Sequence, residues 1–412
     1  VSNIDLKKLI VPAVAAALVI SGVLMIVFAD KYRFRAEPKL EKKELGLEVK
    51  STESRKEIHS TLCRDSLPEK LKDAYDTAGK FINESEAESF WLENISKDEF
   101  KTAFEAYTAD HPEVFWIDTK SSYKYYEMDT SLEIEFCFSM SGDTLETAKK
   151  KLDEAVKKAF TYAPEKADDL DAEVFINDYL VNHCKYNEKA EFSHTSYGAL
   201  VNGEAVCDGY SLAFKLLCDK MGIECSTVEG TADFNDGKDI GHMWNCVKIG
   251  GDWYNVDVTW NDISTAKFYA ERYFYLNLTD KEIKKDHKFS PLFNSDKFTG
   301  DTTFNIFLPE CKTDKLKYLD IYCVTISDLS KDDEIIASLI ASAKEEQKSC
   351  SFVIDSKLDY KETCDKIIND GYINEWIDGA NHYCDRSHKI AANTKAYIYG
   401  NQNVLTVELN YG

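Results

Sequence analysis

Two runs of strand-forming residues, His242 to Ile249 and Asp252 to Trp260, flank the pair Gly250-Gly251. Glycines between β-branched and aromatic runs are a strong hairpin signal. A two-residue loop sets Ile249 against Asp252, Trp244 against Asp257 and His242 against Thr259. Side chains alternate with a period of two, so His242 and Asp257 become diagonal neighbours on one face. A slip of one residue would separate them. Upstream, residues 208–222 carry Leu212, Leu216 and Met221 at helical spacing with Leu217 beside them, and Gly222 stands where a helix C-cap is expected. Cys207 heads that helix, where unpaired backbone N–H groups and the positive end of the macrodipole favour an anionic sulfur.

A thiol, an imidazole and a carboxylate in that order are the parts of a covalent acyl-transfer centre. The thiolate attacks, the imidazole generates it and later protonates the leaving amine, and the carboxylate orients the imidazole. Taken singly, Cys207 reads more simply as a buried small apolar residue and His242 as a hydrogen-bonded strand histidine. The three types together, on matching predicted elements, reverse that preference.

The blocks Tyr197 to Gly230 and His242 to Asp262 resemble the transglutaminase-like superfamily, most of all its bacterial members. The matching segments, in order, are the block around Cys207, the strand Gly222 to Gly230, the run His242-Met-Trp-Asn245 and the run Trp253 to Trp260. The resemblance covers roughly residues 168–280. It implies an α+β fold with a papain-like core, in which a helix bearing the cysteine packs on an antiparallel sheet bearing His and Asp. It further implies Cys207 as nucleophile, His242 as general base and acid, Asp257 as orienting group, a peptide or protein amide as substrate, and no cofactor. Animal transglutaminases place Trp directly after the nucleophile, whereas Asp208 stands here, which favours hydrolysis over cross-linking. Tyr197 is a candidate oxyanion donor. Trp244 and Trp260 are candidates for the cleft, although core packing is the plainer reading of both. A non-catalytic surface binding or scaffold protein that keeps the fold is the alternative.

A length of 412 residues leaves room for further domains. The apolar run Leu9 to Ala29 is long enough to span a bilayer, with Lys7 and Lys8 before it and Val27-Phe28-Ala29 resembling a cleavage site. Residues 1–30 therefore read as a signal anchor or signal peptide, the anchor favoured. A charged linker follows over 31–67, then an N-terminal α+β domain over 68–165, the core over 166–300 and a C-terminal α+β domain over 301–412. The expected location is the cell membrane, single-pass with an extracellular catalytic region, or secretion. In the flanking regions helices are expected over 69–81, 97–109, 144–160, 332–347 and 360–371, and one opens the core over 171–184. Strands are expected over 132–140, 317–326 and 351–355, with a closing hairpin that turns at Gly400-Asn401.

A net charge of −23 argues against nucleic acid as a partner, which needs basic surface to neutralise phosphates. The expected partners are a peptide or protein substrate and, through the N-terminal helix, the membrane. Twelve cysteines at irregular spacing do not read as a disulfide framework. His382, Cys384 and His388 are spaced like three ligands but lack an obvious fourth, so no metal is expected. Neither a phosphate-cradling loop nor a dinucleotide fingerprint is present.

Overall fold

A computed structural model describes residues 47–85, 89–117, 122–233, 237–262, 268–293, 303–391 and 394–411. The apolar run Leu9 to Ala29 lies outside these, and among the described residues no helix is long and apolar enough to cross a membrane. Helix α1 (Glu69–Glu84) buries Leu71, Ala74, Tyr75, Ala78 and Ile82 along one face. After strand β1 (Ser89–Glu93) comes helix α2 (Lys97–Asp110), which starts in a capping box made by Ser96 and Glu99. The Asp110 carboxylate at its far end accepts the backbone N–H groups of Cys63 and Arg64 at 3.0 and 2.8 Å, and the Tyr75 hydroxyl at 3.2 Å. Strands β2 (Tyr123–Met128) and β3 (Ser131–Phe136) join β1 in an antiparallel sheet of order β1-β3-β2. In β3, Leu132, Ile134 and Phe136 are buried and the intervening glutamates face outward, the alternation expected of a half-covered strand. Helix α3 (Gly142–Phe160) packs Leu145, Ala148, Leu152 and Val156 inward.

Helix α4 (Asp169–His183) is buried on nearly all sides, polar residues included, and its N-terminus is capped by the Asp168 side chain. The short parallel strands β4 (Lys185–Tyr186) and β5 (Glu204–Ala205) lead into helix α5 (Cys207–Lys220). A four-stranded antiparallel sheet follows: β6 (Cys225–Asp233), β7 (Asp239–Ile249), β8 (Asp252–Val256) and β9 (His287–Phe289), in the order β8-β7-β6-β9. The hairpin register is the one the glycine pair implies, Asp252 opposite Ile249 through Val256 opposite Asn245, with Gly250 and Gly251 at φ +61° and +94°. The second strand is shorter than expected. It ends at Val256, and residues 258–261 form a helical turn, so His242 does not face Thr259. The Asp257 side chain accepts from the Trp260 backbone N–H and caps that turn, which competes successfully with strand continuation.

Residues 317–326 also depart from the expected single strand. They divide into helix α6 (Tyr318–Tyr322) and strand β10 (Val324–Ile326), because Tyr318, Leu319, Ile321 and Tyr322 are buried together and a strand would place them on opposite faces. Beyond lie helix α7 (Asp333–Lys344), strand β11 (Ser349–Ile354), helices α8 (Tyr360–Asn369) and α9 (Tyr372–Tyr383), and strands β12 (Lys395–Tyr399) and β13 (Val404–Glu408). The sheet order is β10-β11-β13-β12. Helix α9 was not expected from the sequence. The buried apolar residues form two clusters. One runs from Cys63 to Tyr322, shared by the first sheet and the core, and is joined by Val353 and Val404; the other runs from Ile326 to Leu409.

Gly230 in β6 is where the core sheet is tightest. A Cβ there would lie 2.2 Å from the Lys288 carbonyl oxygen and 2.6 Å from the Trp244 ring. Gly230→Ala should lower stability by roughly 1–3 kcal/mol through overpacking. Urea denaturation checks this, and an unchanged midpoint would show that β9 and Trp244 yield freely.

Candidate active site

Cys207 occupies the first position of α5, and β7 and β8 bring the other two residues to it. Ser211, one turn along the helix, donates its hydroxyl to the Met243 carbonyl at 3.0 Å, and the Asn245 amide donates to the Ser211 carbonyl at 3.1 Å. The head of the helix is thereby fixed against the strand that carries His242. The His242 Nε2 donates to Asp257 Oδ2 at 2.7 Å, and both side chains are buried. The Cys207 sulfur lies close enough to the ring to raise its pKa, and Nδ1 is the ring nitrogen that Asp257 leaves open. Cys207 itself stays partly exposed. Sulfur, imidazole and carboxylate thus stand in series with solvent access at the sulfur.

The electrostatics follow from burial and charge. Burial alone would lower the His242 pKa, but the Asp257 carboxylate outweighs it and Cys207 adds to the effect, so the imidazole is held up at about 10. Burial would raise Asp257, yet His242 and His287 together keep its carboxyl below the ordinary carboxylate range.

His287, on β9, is the residue the sequence reading missed. Its Nε2 lies 3.0 Å from Asp257 Oδ2 and its Nδ1 2.7 Å from Asp286 Oδ1. Ionised carboxylates only accept, so this placement between two of them favours a His287 ring with both nitrogens protonated. Burial pulls its pKa down, while the two carboxylates push it further up. Asp286 in turn accepts the Tyr275 hydroxyl at 2.7 Å. Nothing in the Lys-Lys-Asp-His-Lys stretch around His287 marks it; only the pairing of β9 with β6, His287 opposite Ala232, carries it to the site. Among the described residues, His242, Asp257 and His287 are the group whose ligand-type atoms lie close enough to hold a metal ion, within 4.8 Å of one another. Their N···O separations of 2.7 and 3.0 Å are those of hydrogen bonds.

The other candidates settle differently. Trp244 is wholly buried and donates its indole N–H to Asn255 at 3.1 Å; its ring meets His287 edge-on, so it backs the site instead of lining the cleft. Trp260 lies over His287 at 4.5 Å between centroids and 6.0 Å from His242, a cover for the imidazole pair. Tyr197 is stacked on Phe115 at 4.5 Å and packed edge-on to Phe192, in aromatic packing that accounts for its burial without a catalytic role. Tyr186 on β4 is the exposed phenol close enough to Cys207 to feel its charge; burial first, and that charge next, raise it to about 12. Asn261 donates to Asn177 on α4 at 2.9 Å and accepts from the Tyr275 backbone N–H, which ties the turn after Asp257 to the helix behind it. All twelve cysteines are free thiols.

The profile of the transglutaminase-like superfamily core matches residues 156–258. Kyphoscoliosis peptidase from Homo sapiens is 31% identical over a match covering 31% of this chain and 22% of the relative, and that from Mus musculus is 32% identical over 24% and 16%. The match thus spans about a fifth of the length of these curated relatives. A solved crystal structure of a TGase shares 12% identity, with 38% of this chain and 49% of the other covered, at a TM-score of 0.26. Residues 156–258 match the core domain of the transglutaminase-like superfamily.

Proposed function

We propose that this protein is a cysteine-dependent amide hydrolase acting on peptide or protein substrates through a Cys207 thioester. The observation that carries the reading is the 2.7 Å contact from His242 Nε2 to Asp257, which leaves the other ring nitrogen to the sulfur. The Cys207 sulfur attacks the amide carbonyl and a C–S bond forms. The C–N bond then breaks as His242 gives its proton to the departing amine. Water, deprotonated by the now neutral His242, attacks the thioester, releasing the acid and restoring the thiolate–imidazolium pair. Hydrolysis is favoured over transfer to an amine because Asp208, hydrogen-bonded to His194 at 2.7 Å, stands where cross-linking enzymes carry a tryptophan. The curated relatives are named peptidases, in agreement with this choice. The run Leu9 to Ala29 supports a membrane-attached form with its catalytic region outside the cell.

Iodoacetamide at mildly acidic pH tests the centre directly. Apart from Cys207, only Cys137 and Cys323 are not buried, so they are the internal reference. Cys207 should be alkylated at least about tenfold faster than either, since an ordinary thiol is largely protonated there. His242→Ala should remove the advantage. Equal, slow labelling of the three would overturn the enzymatic reading and leave a binding or scaffold protein.

Catalysis needs the proton on His242, so peptide-anilide hydrolysis should fall off on the alkaline side near pH 10, as the imidazolium is lost. Asp257→Asn removes what holds the proton there; the limb should move down towards the ordinary histidine value of 6.5, with kcat lower by roughly 10²–10⁴. His287→Gln should move the limb the other way, because it takes a positive charge away from His242 and leaves Asp257 less shared. A downward shift in His287→Gln would mean that His287 is a packing residue alone.

A further inference from the structure

A cavity of about 380 Å³ opens beside the catalytic centre, between α2, α5, β6, β7 and the segment that starts at Thr303. Its wall includes Asp208, the neighbour of Cys207, and Met243, the neighbour of His242. We propose that this cavity is a specificity pocket for a lysine or arginine side chain of the substrate, seated next to the amide that Cys207 attacks; the assignment rests on the peptide-hydrolase reading above.

The lining has two parts. Phe104, Ala109, Leu212, Met243 and Phe304 supply apolar walls, and Glu105, Asp208 and Glu229 supply carboxylates. Two of the three acids have partners within the protein. Glu105 lies 3.7 Å from Lys101 on its own helix, and Asp208 meets His194 at 2.7 Å. No ion pair among the described residues involves Glu229. It stands on β6 opposite Met243, next to Gly230, which stands opposite His242. Asn305 fixes its backbone, accepting from the Glu229 N–H at 2.7 Å and donating to the carbonyl at 3.0 Å. Burial first, then the charges of Asp208 and Glu105, push the Glu229 carboxyl up to about 7 against a smaller opposing pull from His242.

A carboxylate held in a concave, largely apolar site is costly until a cation meets it. Lysine and arginine carry an apolar stem and a charged head, which match walls and carboxylates in one side chain. A neutral side chain of equal length fills the walls and leaves Glu229 unmet; an acidic one adds repulsion. An ammonium paired with Glu229 stays protonated, so the pocket recognises substrate and does not present an amine to the thioester.

The test needs no turnover. The full chain carrying Cys207→Ala is titrated by calorimetry with capped tripeptides Ala-Lys-Ala, Ala-Arg-Ala, Ala-norleucine-Ala and Ala-Glu-Ala. The lysine and arginine peptides should bind at least about tenfold tighter than the norleucine peptide, and the glutamate peptide weakest. Adding Glu229→Gln should cut the advantage below about threefold, with norleucine binding as the internal control that the pocket is formed. Equal affinity for lysine and norleucine overturns the proposal, as does a basic preference that survives Glu229→Gln. Selective alkylation of Cys207 reports the catalytic centre separately, so a failed pocket and a failed hydrolase give different results.

Discussion

The Asp257 carboxylate is the point on which the core sheet converges. Taking an ionised carboxylate out of water costs several kcal/mol unless charge and hydrogen bonds replace the lost solvent. Here three N–H groups do so: His242 Nε2 at 2.7 Å, His287 Nε2 at 3.0 Å and the Trp260 backbone at 3.1 Å. The donors come from β7, from the far edge strand β9 and from the helical turn after β8. One anion therefore requires the strand order β8-β7-β6-β9, the hairpin register and the end of β8 at Val256 at once. The two imidazoles meet across β6, where Gly230 and Ala232 stand opposite His242 and His287 and the Trp244 ring packs directly on Gly230.

Charges alternate along the resulting line. Asp286, His287, Asp257 and His242 read as acid, base, acid and base, each hydrogen-bonded to the next, with the Cys207 thiol close enough to His242 to raise its pKa. Asp286 also accepts from Tyr275 and from Asn401, at the turn between β12 and β13. The C-terminal hairpin meets the core again where Tyr399 donates to Glu271 at 2.8 Å. The C-terminal region thus closes the end of the line remote from the nucleophile, where it holds the supporting acid in place.

The parts of this arrangement that local pattern governs were legible in the sequence. Gly250-Gly251 fixed the hairpin, the 3.6-residue period located α5, and the strand alternation put His242 and Asp257 within reach of each other. Asp257 was placed on a strand although it caps a turn, since its runs of Val, Thr and Trp satisfy both a strand and a one-turn helix until the buried partners choose. His287 was invisible for a different reason. It follows Asp257 by thirty residues, in a charged stretch without periodicity, and only long-range pairing with β6 gives it a role. Residues 317–326 were misread because a short stretch rich in Tyr, Ile and Val does not by itself separate a helical turn from a strand.

The alternation of side chains also divides the labour of β6 and β7. On one face stand His242 and Trp244, whose ring covers Gly230. On the other stand Met243, Asn245, Thr227 and Glu229, with Asn245 hydrogen-bonded to α5 and Glu229 in the cavity. His242 therefore has a cavity-lining residue, Met243, as its immediate neighbour in the chain, and Cys207 has Asp208. The period of two that makes His242 and Asp257 converge also fixes Glu229 and Met243 on the side that a substrate side chain would enter. A one-residue slip in this pair of strands would exchange the two sets, carrying the carboxylate into the imidazole layer and the imidazole into the pocket. The cavity wall and the His242–Asp257 pair are thus held by one register, and neither can drift without the other.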